Sequence, residues 1–295
     1  MGNVPERSKA ERFSFIALNR SDFGVRYLCR YLNVSPQGFY KWLNRDESTR
    51  DIENRRILEC IEAIYAQHGG NYGSPRISAE LKANGERINH KRVERLMREA
   101  GIVGKAGRIY RRRPLLGNPC IKVENLQREH GMPSKPDSQW AGDVTYLKIN
   151  GQWQYLAVII DLYSRKVLGW ELSDTRTVEL TLSALNKAVR LRNIESDLIF
   201  HSDRGSEYGA YAYQNRLKEL GIEPSMNRPG CMNDNVYVES FFQTLKTESF
   251  KGFNFESVKE LRANLVWYLD RYYNFKRRHG SLGFKSPDEY ERMAA

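Results

Sequence analysis

The chain has 295 residues and a formal net charge of +11 at pH 7, because 47 lysine and arginine side chains outnumber 36 acidic ones. A hydrophobic content of 40% and an aromatic content of 12% exclude a disordered chain and are sufficient for two or three domains with cores of their own. The basic balance favours a polyanionic partner such as nucleic acid, although charge alone fits a merely soluble basic protein equally well. No apolar run approaches about 18 residues and the N-terminus is charged, so we expect neither a membrane span nor a secretory signal.

The four cysteines are widely scattered along the chain: Cys29, Cys60, Cys120 and Cys231. No pair has the Cys-x-x-Cys spacing of a zinc or redox site, and no pair of histidines stands near them at finger spacing. We therefore expect reduced thiols in a cytoplasmic protein, without structural zinc.

Residues 1–65 are predicted to form an N-terminal helical region that is helix-turn-helix-like. Residues 25–32 form one apolar stretch, a polar turn follows at residues 33–36, and residues 39–43 form a second apolar stretch. Ser35 is a suitable N-cap with Pro36 at the first helical position. Helix, short turn and helix outline a helix-turn-helix, and a plain helical bundle fits as well.

Residues 66–115 are predicted to form a basic DNA-binding domain of helix-turn-helix type, with helices over residues 76–84 and 89–100. From Arg87 to Arg113 there are ten basic residues and two glutamates. Such density favours phosphate binding, which salt should weaken steeply, and the alternative is a solvated helix face followed by a basic linker. The predicted DNA contacts are Lys91, Arg92, Arg95, Arg98, Arg111, Arg112 and Arg113.

Residues 116–135 are predicted to be an irregular linker, residues 136–250 a catalytic core, and residues 251–295 a C-terminal helix with a basic tail. Three strands are predicted over residues 145–149, 152–161 and 166–172, with a tight hairpin turn at Asn150-Gly151. A helix over residues 177–191, a strand over 198–201 and a helix over 208–220 follow. This order is typical of an α/β domain of the RNase H-like, retroviral integrase-like class, in which helices flank a mixed sheet, and an all-α region precedes it here.

Three acids fall at informative places in this core. Asp143 lies in the first predicted strand, Asp203 directly follows the fourth, and Glu239 lies on a predicted helix after a polar loop. Two strands and a helix can bring their acids to one point, where an RNase H-like fold has its metal-binding carboxylates. Lys246, two helical turns beyond Glu239, projects from a similar face.

Clustered carboxylates are suited to divalent metal chemistry on DNA. Mg²⁺ prefers oxygen ligands in octahedral geometry, and two ions about 4 Å apart can clamp an in-line displacement at phosphorus. We therefore predict Asp143, Asp203 and Glu239 as both catalytic residues and ligands of two Mg²⁺ ions, for which Mn²⁺ is an expected substitute. Lys246 would offer a positive charge to the DNA backbone.

Other polar or aromatic residues of the core and tail have two interpretations. His201 either orients a ligand or is a structural, hydrogen-bonded histidine, and Arg204 either contacts DNA or is simply exposed. Trp140 and Trp153 are predicted to pack. Three residues of the tail either touch DNA or hold the tail against the core, with a slight preference for the second: Asn274, Arg277 and His279.

Five motifs occur in an order that resembles the bacterial insertion-sequence transposases of the DDE class, specifically the second-reading-frame product of the insertion sequence three family. They are Tyr72-Gly-Ser-Pro-Arg76, Trp140-Ala-Gly-Asp143-Val-Thr-Tyr146, His201-Ser-Asp203-Arg-Gly-Ser206, Asp234-Asn235 leading to Glu239 and Lys246, and a tail with Tyr273-Asn274, Arg277, His279 and Tyr290. The resemblance covers nearly the whole chain. The loop over residues 228–234 differs somewhat from the sequence that this family usually has before the glutamate.

The resemblance implies a transposase that cleaves DNA at element ends and transfers the strand without a covalent protein–DNA link. Asp143, Asp203 and Glu239 would be the triad and Lys246 the DNA-end contact. Partners would be double-stranded element ends and target DNA, further copies of the chain in a multimer, and a first-frame protein with a helix-turn-helix and a leucine zipper. The protein would be cytoplasmic in a bacterium and nucleoid-associated when bound to DNA.

Two other functions remain open on the residues. One is a metal-dependent nuclease or phage-type integrase on the same fold, which a test for joining rather than hydrolysis would separate. The other is a DNA-binding protein with a catalytically silent RNase H-like domain, which would bind without metal and without cleavage.

Overall fold

The structure, a computed structural model, describes residues 8–44, 48–105, 123–194, 197–228 and 232–294. The chain divides into two compact units, Met1–Glu62 and Ala63–Ala295, and each is described by itself. Within the described ranges, no helix combines the length and the apolar character that crossing a membrane requires.

The first unit is helical, as predicted. It contains α1 (Lys9–Phe23), α2 (Val25–Tyr31), α3 (Pro36–Leu43) and the start of α4 (Thr49–Gln67). The predicted N-cap of α3 is confirmed, because the Ser35 hydroxyl accepts a hydrogen bond of 2.9 Å from the Gly38 amide and Pro36 opens the helix. The core of the first unit consists of Phe13, Ile16, Leu28, Cys29, Leu32 and Phe39. Cys29 and Cys60 are free thiols.

The second unit begins with a helical part. After the end of α4 come α5 (Ser74–Ala83) and α6 (His90–Glu99), close to the predicted bounds. The buried face of α6 carries Val93, Leu96 and Met97, so its basic residues lie on the opposite side. A short helix, α7 (Leu126–His130), lies in the segment that was predicted to be irregular.

A five-stranded mixed sheet forms the centre of the second unit. The strands are β1 (Gln139–Ile149), β2 (Gln152–Asp161), β3 (Val167–Ser173), β4 (Ile199–Ser202) and β5 (Glu223–Met226), in the order β3-β2-β1-β4-β5. The first three are antiparallel neighbours, and β4 and β5 continue the sheet in parallel with β1. This confirms the predicted mixed sheet, while β5 was not predicted.

Helices cover both faces of the sheet and make two cores. On one face lie α8 (Val178–Leu191), α9 (Ser206–Gly209) and α10 (Tyr211–Glu219). The other face is covered by α11 (Val236–Leu245), which continues as a π-helix over Lys246–Phe250, and by α12 (Val258–Leu265), which continues as a π-helix over Val266–Tyr273. The chain ends with α13 (Pro287–Arg292).

The sheet leaves part of β1 uncovered at one edge. The register of β4 against β1 runs only from Gln139 to Gly142, and the antiparallel register of β2 runs on to Ile149. Among the described residues, positions 143–149 of β1 therefore have no strand partner on the β4 side. Asp143 stands where this open edge begins.

Candidate active site

Asp143 and Asp203 are brought together by two parallel strands. In the β1–β4 register Gly142 lies opposite Ser202, and the residue that follows each of them is one of the two aspartates. Burial, followed by the charges of Asp203 and Glu239, raises the pKa of Asp143 well above its ordinary value. Burial also raises the pKa of Asp203. The pair therefore forms a patch of mutually repelling carboxyl groups at the end of β4.

Glu239 reaches this patch from a helix. It lies in the first turn of α11 and is exposed, while Val238, Phe242 and Leu245 of the same helix pack into the core. Its charge acts on Asp143. Within the part of the chain that the structure describes, however, no three acidic, histidine or cysteine side chains are gathered closely enough to hold one ion. The structure thus joins the two aspartates and leaves Glu239 beside them rather than in a closed ligand set.

Gly205 leaves room for two carboxylates that lie close to its Cα. Its amide donates a hydrogen bond of 2.9 Å to Asp203 Oδ1. A Cβ at this position would lie 2.8 Å from Glu207 Oε1 and 2.9 Å from Asp203 Oδ1, closer than side chains tolerate. A larger residue here would displace the carboxylates of Glu207 and Asp203, so the glycine contributes to the geometry of the site.

Arg176 and Glu207 belong to the surroundings of the site and were missed in the sequence. Glu207 is buried, and its Oε1 accepts a hydrogen bond of 2.8 Å from Arg176 Nε. The Arg176 charge lowers the pKa of Asp143 and of Asp203, opposing the larger effect of burial. The position of Glu207, four residues after Asp203, was a signal that the sequence offered. Nothing in the local sequence around Arg176 distinguishes that residue.

Lys246 lies seven residues beyond Glu239 along the chain. It is the first residue of the π-helix after α11 and is half-buried. Its Nζ lies 4.9 Å from the centre of the Tyr146 ring, on the open edge of β1. The lysine therefore stands beside the strand that carries Asp143.

His201 and Arg204 have structural contacts. His201 is fully buried, and its two ring nitrogens hydrogen-bond with Ser225 Oγ and Asn227 Oδ1, each at 2.8 Å. Arg204 donates to the carbonyl oxygens of Asn227, at 2.6 Å, and Val123, at 3.0 Å. Both residues tie β4 to the segment after β5, which holds Asp203 in place.

The two tryptophans differ. Trp140 is buried in the core, as predicted, and donates from Nε1 to Asp137 at 2.9 Å. The prediction that Trp153 packs holds in part, because its ring lies edge to face against Tyr146 while about half of the residue is exposed. It lies directly after the Asn150-Gly151 turn, at the end of the hairpin that extends beyond β4.

The three polar residues of the tail are buried and hold it against the core, the interpretation that was slightly favoured. Asn274 makes two hydrogen bonds of 2.9 Å with the backbone of Val167. Arg277 pairs with Glu248 at 2.7 Å, and His279 is buried beside Arg277.

The basic face of α6 is partly available to a partner. Lys91 and Arg98 are exposed, Arg92 and Arg95 are half-buried, and Arg95 pairs with Glu99 at 3.0 Å. The other predicted DNA contacts, Arg111, Arg112 and Arg113, lie outside the described residues.

Known protein families match the sheet domain and the helical segment that precedes it. Residues 133–231 and 220–287 each match a family described as integrase core domain, and residues 52–113 match one described as HTH-like domain. Together with the mixed sheet and its two aspartates, these matches define a protein of the integrase-core class with a helix-turn-helix-like domain ahead of the core.

Two curated relatives narrow the class. The chain is 36% identical over 282 residues to Transposase InsF for insertion sequence IS3A of Escherichia coli (strain K12), which covers 95% of this chain and 98% of that relative. It is 34% identical over 250 residues to the transposase for insertion sequence element IS904 of Lactococcus lactis subsp. lactis (strain IL1403), covering 85% and 99%. The chain therefore belongs to the family of IS3 insertion-sequence transposases, which confirms the resemblance, and its function is that of a transposase.

Solved structures with a similar fold are more distant. A chain of a simian T-cell lymphotropic virus intasome aligns at 17% identity and a TM-score of 0.46, covering 78% of this chain and 74% of that chain. The HTLV-2 integrase catalytic core domain in complex with magnesium aligns at 18% identity and a TM-score of 0.42, covering 54% and 98%. Both TM-scores are too low to add to the family assignment.

Proposed function

We propose that this transposase is a DDE polynucleotidyl transferase in which Asp143, Asp203 and Glu239 are the catalytic carboxylates. The observation that carries the proposal is the pair of neighbouring aspartates, one within β1 and one directly after the parallel strand β4, with Glu239 close enough for its charge to act on Asp143. Such a cluster costs free energy when it is ionised without a cation. The reaction is DNA cleavage at element ends followed by transfer of the strand into a target.

The donor set fits a hard divalent cation. Carboxylate oxygens are the ligands that Mg²⁺ prefers, and a cation relieves both the burial and the mutual repulsion that raise the pKa of Asp143 and Asp203. The proposal assigns the two aspartates as the primary ligands and Glu239 as the third, for two Mg²⁺ ions or Mn²⁺ in their place. When bound there, the ions supply Lewis-acid stabilisation of the charge that develops at phosphorus.

The remaining contacts are assigned to DNA. Lys246 holds a phosphate of the element end, and the basic face of α6 holds phosphates further along the duplex. The proposal includes a multimer that bridges two ends, a first-frame helix-turn-helix and leucine-zipper protein as partner, and a cytoplasmic location, on the nucleoid when bound.

A strand-joining assay tests the assignment of the acids. A labelled, pre-cut element end is incubated with target DNA and Mg²⁺ or Mn²⁺, with and without the first-frame protein. We expect metal-dependent joining that falls on the order of 10⁴-fold in Asp143→Asn and Glu239→Gln. The matched control is Glu223→Gln, which removes an exposed acid at the start of β5 and should join normally.

Three outcomes would contradict the proposal. Strand joining that survives in the two acid variants would show that Asp143 and Glu239 are not catalytic. Hydrolysis without joining, under every condition, would favour a nuclease. Salt-sensitive, metal-independent binding without any cleavage would favour a DNA-binding protein with a silent core.

A further inference from the structure

A groove of about 510 Å³ lies between the last residues of β1 and the segment that follows α11. One wall is formed by the open edge of β1 and the start of β2, and the other by the π-helix and the loop after it. Its lining includes Tyr146, Lys148, Trp153, Lys246, Lys251 and Phe253.

Three aromatic rings of this groove are unusually exposed. Tyr146 is 44% exposed, Trp153 47% and Phe253 49%. The rings of Tyr146 and Trp153 meet edge to face, with centroids 5.2 Å apart. Exposed rings of this size leave apolar area in contact with water, and burying them against a flat partner would stabilise a complex.

Each of the three rings has a lysine over it. Lys246 Nζ lies 4.9 Å from the centre of Tyr146, Lys148 Nζ lies 5.4 Å from Trp153, and Lys105 Nζ lies 5.5 Å from Phe253. These distances are in the range of cation–π attraction, which holds the lysines near the rings. The surface therefore alternates positive charges with flat apolar faces, as a nucleic acid strand alternates phosphates with bases.

The groove and the proposed catalytic site lie along the same open edge of β1. Tyr146 follows Asp143 by three residues on the same strand, which corresponds to about 10 Å along β1. Glu239 and Lys246 are likewise connected through α11 and the π-helix that continues it. A DNA strand that leaves the carboxylates along the open edge of β1 meets this groove.

We infer that the groove binds an unpaired base of the DNA strand adjacent to the reacting phosphate, an inference that rests on the proposed function. Trp153 and Tyr146 provide the faces on which the base stacks. Lys148 and Lys246 neutralise the phosphates on either side of it. Stacking on an aromatic face does not depend on base identity, so the groove selects unpaired over paired DNA rather than a sequence.

Fluorescence of a base analogue tests this inference. The probe is a DNA duplex with a short unpaired overhang that contains 2-aminopurine, and a blunt duplex of the same sequence is the comparison. Binding to the full chain is measured by anisotropy of a distant label, and stacking by the change in 2-aminopurine emission. The variants are Trp153→Ala, Trp153→Phe and, as a control, Tyr211→Ala, which removes a ring that is 80% exposed outside the groove.

We expect Trp153→Ala to bind the overhang duplex about tenfold more weakly and to lose the emission change, because one base–aromatic stack is removed. Affinity for the blunt duplex should not change. Trp153→Phe retains a ring and should keep most of both signals, and Tyr211→Ala should behave as the unmodified chain. Because Trp153 is exposed, circular dichroism should show all variants folded.

Two results would overturn the inference. Undiminished affinity and emission change in Trp153→Ala would show that the base does not stack there. Equal losses on overhang and blunt duplexes, or a changed sedimentation coefficient without a change in DNA binding, would mark the groove as a duplex or protein contact. Strand joining is measured in parallel, so a failure of the proposed catalysis is seen separately from a failure of base binding.

Discussion

Among the individual residues around the site, Arg176 has the most consequential position apart from the acids. It pairs with the buried Glu207 and carries a positive charge toward two aspartates whose pKa values burial raises. A buried carboxylate without its partner is costly, and the cost is smaller where the cation is partly exposed. The side chain of Arg176 is 43% exposed, so this pair is intermediate between a fully buried and a fully exposed ion pair.

Removing Arg176 should destabilise the second unit. For Arg176→Ala we expect a loss of about 1–2 kcal/mol in the free energy of unfolding, since Glu207 is left buried without its cation. Adding Glu207→Gln to this variant should recover most of the loss. Chemical denaturation of the two single variants and the double variant gives the coupling energy, and a value near zero would contradict an energetically important pair.

The sequence predicted the three acids as neighbours, of which the structure places the two aspartates side by side, and it missed Arg176 for a physical reason. Each acid has a local context, a strand end or a helix start, that predicts where its side chain goes. The Arg176–Glu207 pair forms across 31 residues and through the packing of α8 against the sheet, which no short pattern contains. The exposure of Trp153 has a similar origin, because it depends on how far the β1–β2 hairpin extends beyond the elements packed against the sheet, which no short pattern contains.

At the scale of secondary structure, elements with strong local signals were predicted well. The Asn150-Gly151 turn has positive φ at both residues, 45° and 81°, as a two-residue hairpin requires, and β2 has its predicted bounds. The four-residue β5 was not predicted because its sequence shows no alternation of apolar and polar residues. Pro224 is tolerated there because β5 is an edge strand. The predicted C-terminal helix is α12 followed by a π-helix, a change of hydrogen bonding that hydrophobic periodicity does not reveal.

The basic face of α6 leads to a prediction about salt. Lys91 and Arg98 are exposed on the side opposite Val93 and Met97. If both bind phosphates, the variant Lys91→Gln/Arg98→Gln should release fewer counterions on binding. The slope of log affinity against log salt should then become shallower by about 0.9 for each phosphate that is no longer neutralised. Fluorescence anisotropy with a duplex over a series of salt concentrations measures this slope.

A charge-matched variant separates a local role of α6 from the effect of overall charge. Lys218→Gln/Lys259→Gln removes two exposed lysines outside α6 and lowers the net charge by the same amount. We expect its salt slope to remain that of the unmodified chain. Equal slopes for the two double variants would assign the effect to net charge and would remove α6 from the interface.

On the scale of the whole second unit, the tail fastens the helical part to the sheet domain. The Arg278 amide donates a hydrogen bond of 2.8 Å to Tyr72 Oη, and the Arg278 guanidinium pairs with Glu80 at 2.6 Å. Arg76 lies 3.8 Å from Glu248, which also holds Arg277. These contacts join α5 to residues near the end of the chain, which explains why Ala63–Ala295 forms one compact unit.

This fastening should weaken in acid, and Glu80 is the residue that reports it. Partial burial raises its pKa, but hydrogen bonds from His68 and Arg278 outweigh burial and lower the pKa from 4.5 to about 2. A carboxyl group with a depressed pKa in the folded state stabilises the fold fully above its unfolded pKa. The contribution is therefore present above pH 4.5 and lost as the pH falls toward about 2.

The variant Glu80→Gln should accordingly be less stable than the unmodified chain at neutral pH, by about 1–2 kcal/mol once solvent screening is allowed for. The difference should shrink between pH 4.5 and about 2, where the native carboxyl group also becomes neutral. Urea unfolding of both proteins at a series of pH values measures it, with the exposed Glu223→Gln as a control that should show no such convergence. A constant difference across this range would mean that Glu80 stabilises the unit through packing rather than charge, because packing does not depend on the proton.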